Sequence, residues 1–148
     1  MEIWIRIDRD PPGIDEERLR RRAARVLGAL GFEGAELSVW LCEDEAICEL
    51  HGRYLGDYSP TNVMSFAQRE GEFGDVAPEV LGDVVISLTT AERDAREAGT
   101  SLDDEVAYLL IHGILHLVGY DHEGAQAHRA GEMEDKEAEL FRVALDEA

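Results

Sequence analysis

Three histidines fall within one short stretch of the chain: His112, His116 and His122. His112 and His116 are four residues apart, so on an α-helix their side chains share one face, with Cβ atoms about 5–6 Å apart. That separation suits two imidazoles on one zinc ion, whose Zn–N distances are about 2.0–2.1 Å. Gly119 is expected to end the helix in a left-handed turn, after which the chain can bring His122 to the same ion. Three protein ligands leave a fourth position for water, which is typical of a catalytic zinc site.

The alternative interpretation is that these histidines are ordinary helix side chains with local hydrogen bonds. The surrounding helix is apolar on nearly every side from Val106 to Val118, so it is expected to be largely buried. Two imidazoles without partners would be costly there. The spacing and the glycine break therefore favour a metal site. The histidines at 51 and 128 lack metal-compatible neighbours in the sequence and are expected on the surface.

The residue that follows the first histidine narrows the chemistry. Metalloproteases with this ligand spacing carry a glutamate there as the general base, whereas this chain has Gly113. The remaining possibility is metal-assisted hydrolysis of a bond other than a peptide bond, in which the ion polarises an oxygen and activates water. Asp121, beside His122, is a further catalytic candidate because it can hydrogen-bond a ligand imidazole or assist the bound water. The alternative for Asp121 is a turn aspartate that bonds its own backbone.

The elements that must position these residues can be predicted from periodicity and capping signals. Asp15 and Ser101 are expected N-caps, and Thr89 or Thr90 is expected to cap the helix between them. Strands early and helices late indicate an α+β fold in a single domain, residues 1–148. The predicted strands are 1–8, 37–41, 63–66 and 80–88, an exposed loop is predicted over 68–80, and the predicted helices are 15–30, 43–54, 89–98, 102–118 and 126–144.

Composition sets limits on class and compartment. The chain has 148 residues, 45% of them hydrophobic, which is enough for one domain with a core. No apolar run approaches the roughly 20 residues of a transmembrane helix, and the N-terminus is typical of a strand and not of a signal peptide. We therefore expect a cytoplasmic protein. Cys42 and Cys48 do not form a disulfide framework and are expected to be buried free thiols.

The net charge of −19 is large for this length. An acidic surface argues against non-specific nucleic-acid binding, which depends on lysine and arginine neutralising phosphates. The composition is consistent with solubility or with a salty or hot habitat. One basic stripe stands out on the first helix, where a solvated face is favoured over a phosphate-contacting ridge. The stripe consists of Arg18, Arg21, Arg22 and Arg25.

Three motifs resemble those of one known family. Residues 112–122, His-Gly-Ile-Leu-His-Leu-Val-Gly-Tyr-Asp-His, resemble the signature of the YbeY family, the bacterial endoribonucleases of ribosomal RNA maturation. Residues 60–66, Pro-Thr-Asn-Val-Met-Ser-Phe, resemble its central segment. Residues 81–86, Leu-Gly-Asp-Val-Val-Ile, resemble the strand before its late helices. The motifs occur in the family's order and span most of the chain.

The resemblance implies a metal-dependent, single-strand-specific endoribonuclease that acts in small-subunit ribosomal RNA 3′-end maturation and ribosome quality control. Ribosomal RNA and the small ribosomal subunit are the implied partners, with no DNA or membrane partner. His112, His116 and His122 are implied to bind one ion, usually zinc, although another divalent transition metal would also suit them. The implied fold is α+β, with a mixed sheet of about four strands covered by helices. The alternative function is a ribosome-assembly factor with a mainly structural metal and weak or no nuclease activity.

The chain departs from the family pattern beside the central segment. Leu55 stands where some members carry an arginine implicated in function. Arg53 is a candidate substrate-binding replacement, but only if the backbone there is irregular; otherwise it is a surface arginine. Ser65 is a second candidate for substrate binding, facing either the cleft or the core.

Overall fold

A computed structural model describes residues 2–8, 13–32, 34–56, 61–67, 80–119 and 130–145, and it confirms the α+β fold expected from the sequence. The described elements lie close to the predicted ones. They are β1 Glu2–Ile7, α1 Glu16–Ala29, β2 Glu36–Cys42, α2 Asp44–Leu55, β3 Val63–Ala67, β4 Val80–Ser87, α3 Leu88–Ala98, α4 Leu102–Leu117 and α5 Ala130–Leu145.

The sheet is mixed and has four strands in the order β1-β2-β4-β3. Strands β1, β2 and β4 are parallel to one another, and β3 runs antiparallel to β4. Helix α1 makes the crossover that the parallel pair β1 and β2 requires. Most of the loop predicted between β3 and β4, residues 68–79, lies outside the described residues.

Successive side chains along each strand point to opposite sides of the sheet, so its two faces carry different residues. One face packs Ile5, Val39 and Val84 against α1 and α4 in the main core, and α5 lies against both helices. The other face carries α2 over its β4 side, where Ile47 and Val85 are buried. Cys42 is also buried there, and burial raises the pKa of its thiol to about 12.

Helix α4 is the buried helix that the sequence predicted. Its N-cap is Ser101, whose hydroxyl oxygen accepts a hydrogen bond from the Asp104 amide at 3.1 Å. The helix ends at Val118, and Gly119 follows with a φ of 105°, a value that favours glycine. Among the described residues, none of the helices is both long enough and apolar enough to cross a bilayer.

The predicted N-cap of α3, Thr89 or Thr90, was wrong by two or three residues. The N-cap is Ser87, the last residue of β4, whose hydroxyl accepts a hydrogen bond from the Thr90 amide at 3.2 Å. Thr90 is buried in the first turn. The strand therefore passes directly into the helix, and neither Thr89 nor Thr90 lies at the capping position.

Both interpretations of the basic stripe were wrong for Arg22, whereas the solvated face holds for Arg18, whose side chain is 43% exposed. Arg22 is only 7% exposed and places Nη1 3.2 Å from Oδ1 of Asp104. Arg18 reaches Asp103 at 3.4 Å. These arginines clamp α1 to the acidic first turn of α4, about 14 Å along the helix axis from His112 at 1.5 Å per residue. These two ion pairs are therefore structural contacts, and they lie far from His112 along α4.

Candidate metal centre

Helix α4 brings His112 and His116 together as the spacing predicted. Their Nε2 atoms are 3.1 Å apart, and their ring centroids are separated by 4.7 Å. Two nitrogens bound to one tetrahedral zinc at about 2.0–2.1 Å lie roughly 3.3 Å from each other. The two imidazoles are therefore arranged to share one ion with little rearrangement.

A buried glutamate from α5 orients the first of these imidazoles. Glu137 Oε1 lies 2.7 Å from His112 Nδ1, and Glu137 is only 5% exposed. A carboxylate at Nδ1 keeps the proton on that nitrogen and leaves the Nε2 lone pair for a metal. The Tyr108 hydroxyl donates to the other carboxylate oxygen at 2.9 Å. Burial, followed by the contact with Glu137, raises the pKa of Tyr108 to about 12, so the phenol remains a donor at neutral pH.

Sequence reasoning missed Glu137 and gave a similar role to Asp121. Glu137 lies on the face of α5 that also carries Leu140 and Ala144, both 1% exposed. A single carboxylate on a buried helix face was the available signal, because such a group needs a partner. Asp121 and His122 lie outside the described residues, so their roles stay predictions.

Replacing Glu137 with glutamine is expected to weaken zinc binding about 10- to 100-fold, since the neutral amide does not polarise His112. Competition with a chromophoric chelator measures the affinity, and thermal unfolding of the metal-free protein checks the fold. Glu139→Gln is the matched control, because Glu139 is exposed on the same helix and pairs with Lys136 at 3.0 Å. Equal affinities for the two variants would contradict the role of Glu137.

The paired imidazoles open onto a cavity of about 460 Å³, called the histidine cavity below. Helix α2, strand β3 with the residue Thr61 before it, and helix α4 form its walls. The lining residues are His51, Tyr54, Leu55, Thr61, Val63, Met64, Ser65, Phe66, His112 and His116. A volume of this size lies within the range of small-molecule sites, about 300–1,000 Å³.

His51 belongs to this cavity, although the sequence analysis expected it on the surface. Its spacing of three and four residues from Tyr54 and Leu55 puts all three on one face of α2, which was the missed signal. Within the described part of the chain, no three His, Cys, Asp or Glu side chains are grouped to hold an ion. His128 lies outside that part, as does His122, the predicted third ligand.

Ser65 lies in the cavity wall and also anchors α4 to the sheet. Its hydroxyl donates to the Gly113 carbonyl oxygen at 3.0 Å. A Cβ atom added at Gly113 would lie 2.6 Å from Cγ1 of Val84, a buried residue of β4. The position after the first histidine therefore points at the sheet and has no room for a glutamate. This contact gives a structural reason for the absence of the protease base.

The structure does not bring Arg53 to the cavity. Helix α2 is regular from Asp44 to Leu55, so residues 53 and 55 point about 200° apart around the axis. Leu55 lines the cavity, whereas Arg53 is exposed and its guanidinium lies 3.7 Å from Glu49, one turn back. The substrate contact predicted for Arg53 required an irregular backbone, and that condition is not met.

Comparison with known proteins gives consistent matches over nearly the whole chain. The model of the family described as Endoribonuclease YbeY matches residues 5–144. Endoribonuclease YbeY of Geobacter sulfurreducens is 50% identical over 130 residues, covering 88% of this chain and 87% of that protein. The protein of the same name from Syntrophus aciditrophicus is 44% identical over 141 residues, covering 95% and 88% of the two chains.

The fold also has a counterpart among solved structures. The solution structure of TM1509 from Thermotoga maritima superposes with a TM-score of 0.67 and covers 96% of this chain and 88% of that one. The sequences are 24% identical, so this similarity concerns the fold alone.

Proposed function

The chain belongs to the YbeY endoribonuclease family, as the three motifs indicated, and we propose that it is a metal-dependent endoribonuclease that cleaves single-stranded RNA. The observation that carries the metal dependence is the pair of Nε2 atoms, 3.1 Å apart, on His112 and His116 at the wall of an open cavity. The buried carboxylate of Glu137 supports it, because orienting a ligand imidazole is a common role for such a group.

His112 and His116 would hold the ion, and we propose that His122 supplies the third imidazole. The ion, when bound, would polarise a phosphodiester oxygen and lower the pKa of a water. The described residues keep this site in place. The Glu137 carboxylate lies 2.7 Å from His112 Nδ1, an arrangement that favours the proton on that nitrogen and leaves Nε2 for the ion. The hydrogen bond from Ser65 to Gly113 ties α4 to β3, the strand that forms the opposite wall of the cavity.

The proposed substrate is the 3′ region of small-subunit ribosomal RNA, with a further role in ribosome quality control. The support is the family membership together with the three motifs. Incubating the protein with small subunits that carry a precursor 3′ end should shorten that end, as mapped at nucleotide resolution. An unchanged precursor end, with free single-stranded RNA still cut, would limit the proposal to the nuclease activity.

Removing the metal tests the enzyme directly. Cleavage of a labelled single-stranded RNA should stop on chelation and return when about one equivalent of zinc per chain is added. Duplex RNA serves as a substrate control, and casein tests the peptidase alternative. Cleavage that is indifferent to chelation would contradict the proposal. One tightly bound ion without turnover would favour the assembly-factor alternative.

A further inference from the structure

The sheet face opposite α4 carries a row of aromatic and polar side chains across all four strands. The pairing register places residues from the four strands side by side in two rows. One row is Trp4, Ser38, Asp83 and Phe66, and the next is Arg6, Trp40, Val85 and Met64. With strands about 4.8 Å apart, each row extends roughly 14 Å.

Large aromatic surfaces on this face are accessible. Trp4 is 61% exposed and Tyr54, on the flanking helix α2, is 60% exposed. A groove of about 640 Å³ runs over this face, called the aromatic groove below. Its walls include Trp4, Arg6, Trp40, Leu50, Tyr54 and Phe66.

The ring of Trp40 is held in a fixed position. Its indole N–H donates to Asp8 Oδ2 at 3.0 Å, and Arg6 donates through Nε to the other oxygen at 2.9 Å. The Arg6 guanidinium lies 4.5 Å from the Trp40 ring centroid, so it stacks on that ring. A fixed ring beside an exposed indole and a guanidinium plane forms a flat, pre-arranged surface.

The aromatic groove and the histidine cavity are neighbours that share two wall residues. Tyr54 and Phe66 line both, and their rings make an edge contact with centroids 5.1 Å apart. Strand β3 carries Met64 and Phe66 toward one face and Ser65 toward α4. A strand that lies on the groove and continues past Phe66 over β3 would enter the cavity whose wall carries His112 and His116.

We propose that the aromatic groove binds the nucleotides next to the cleaved bond of single-stranded RNA by base stacking. Its length matches two or three bases, the number that an aromatic sheet face commonly stacks. Single strands suit it because their bases are free to unstack onto side chains, whereas paired bases are not. The identity of this ligand rests on the proposed function.

The charged residues in the wall of the aromatic groove favour RNA binding by base stacking over binding through phosphates. Arg6 is the basic residue in the groove wall, and Asp83 is an acidic one. In a protein of net charge −19, neutralising RNA phosphates contributes little to the affinity for RNA. The affinity should therefore come from the bases, with a shallow salt dependence of about one phosphate contact.

The chain provides its own probe, because Trp4 and Trp40 are its two tryptophans. The ligand is an oligoadenylate of about ten nucleotides, within the usual range of single-strand sites. Titrations use the His116→Ala variant so that no cleavage occurs. Tryptophan fluorescence should be quenched by this strand, and much less by an abasic strand of equal length or by duplex RNA. The quenching should persist in a Trp40→Phe background, where Trp4 alone reports.

Trp4→Ala should weaken binding of the oligoadenylate on the order of tenfold, measured by anisotropy of a labelled strand. Arg96→Gln, an exposed change on α3, is the control and should leave binding unaltered. Equal binding of the abasic strand, or a steep salt dependence, would overturn the proposal in favour of phosphate contacts. Self-association that shields both tryptophans would overturn it in favour of a second copy of the chain.

Failure of this proposal and failure of the nuclease are separable. Quenching without RNA turnover by the zinc-loaded native protein would leave the stacking surface standing and remove the enzyme. RNA turnover without quenching of the tryptophans would leave the enzyme standing and remove the stacking surface.

Discussion

His116→Ala is expected to reduce RNA cleavage by about a thousandfold or more and to remove the ion that we propose for the paired imidazoles. The change deletes one of two nitrogens that lie 3.1 Å apart. A metal ion contributes several kcal/mol of transition-state stabilisation, and about 4 kcal/mol corresponds to a thousandfold in rate. Elemental analysis of the purified variant and single-turnover cleavage of a labelled strand are the measurements.

His116 is a sharper target than His112 because its removal leaves the bond between His112 and Glu137 intact. Deleting His112 would remove one partner of the buried Glu137 carboxylate, so an effect on metal binding would be mixed with a loss of stability. The circular dichroism spectrum and the metal-free melting temperature of His116→Ala should therefore stay near those of the native protein. Full metal content together with native turnover in this variant would contradict the proposed metal site.

Gly113→Ala is expected to lower the free energy of unfolding by about 1–2 kcal/mol, even though alanine is the better helix former. The new methyl group would lie 2.6 Å from Val84 Cγ1 and 3.2 Å from Ser65 Oγ. Overpacking of this kind costs about 1–3 kcal/mol, and the gain in helix propensity offsets up to about 1 kcal/mol. Urea denaturation of the metal-free protein measures the difference.

Gly28→Ala is the matched control for this change. Gly28 lies in α1, and a Cβ added there meets nothing within 4 Å, so alanine should be neutral or stabilising by up to about 1 kcal/mol. Val84→Ala should be less damaging in the Gly113→Ala background than in the native protein, because it removes the atoms that clash. If alanine at 113 and alanine at 28 stabilise equally, the close contact between α4 and β4 is refuted.

The features that were predicted correctly depend only on residues that are close together in the sequence. The spacing of His112 and His116, the Ser101 cap and the Gly119 turn all act within one or two helical turns. Glu137 lies 25 positions after His112, and its role depends on how α5 packs against α4. No local pattern contains that packing, so only the adjacent Asp121 was predicted from the sequence, and its role stays a prediction.

The wrong interpretation of Arg22 has the same origin. The stripe on α1 was recognised as a stripe, but its partner is the acidic first turn of α4, which is distant in the sequence. Arg53 was considered because it is near Leu55 in the chain, although a regular helix separates neighbours around its axis. Helical spacing from Tyr54 and Leu55 would have predicted that His51 shares their face of α2, which lines the histidine cavity.

The origin of Glu137 in α5 also sets an order of events during synthesis. Helix α4 leaves the ribosome before α5, so His112 is made well before the carboxylate that orients it. Until α5 docks, the Glu137 carboxylate is not at His112 Nδ1, so either ring nitrogen can carry the proton of the neutral imidazole. A nascent chain therefore completes the oriented imidazole of His112 only after α5 has been made and has docked on α4, later than the helix that carries the histidine.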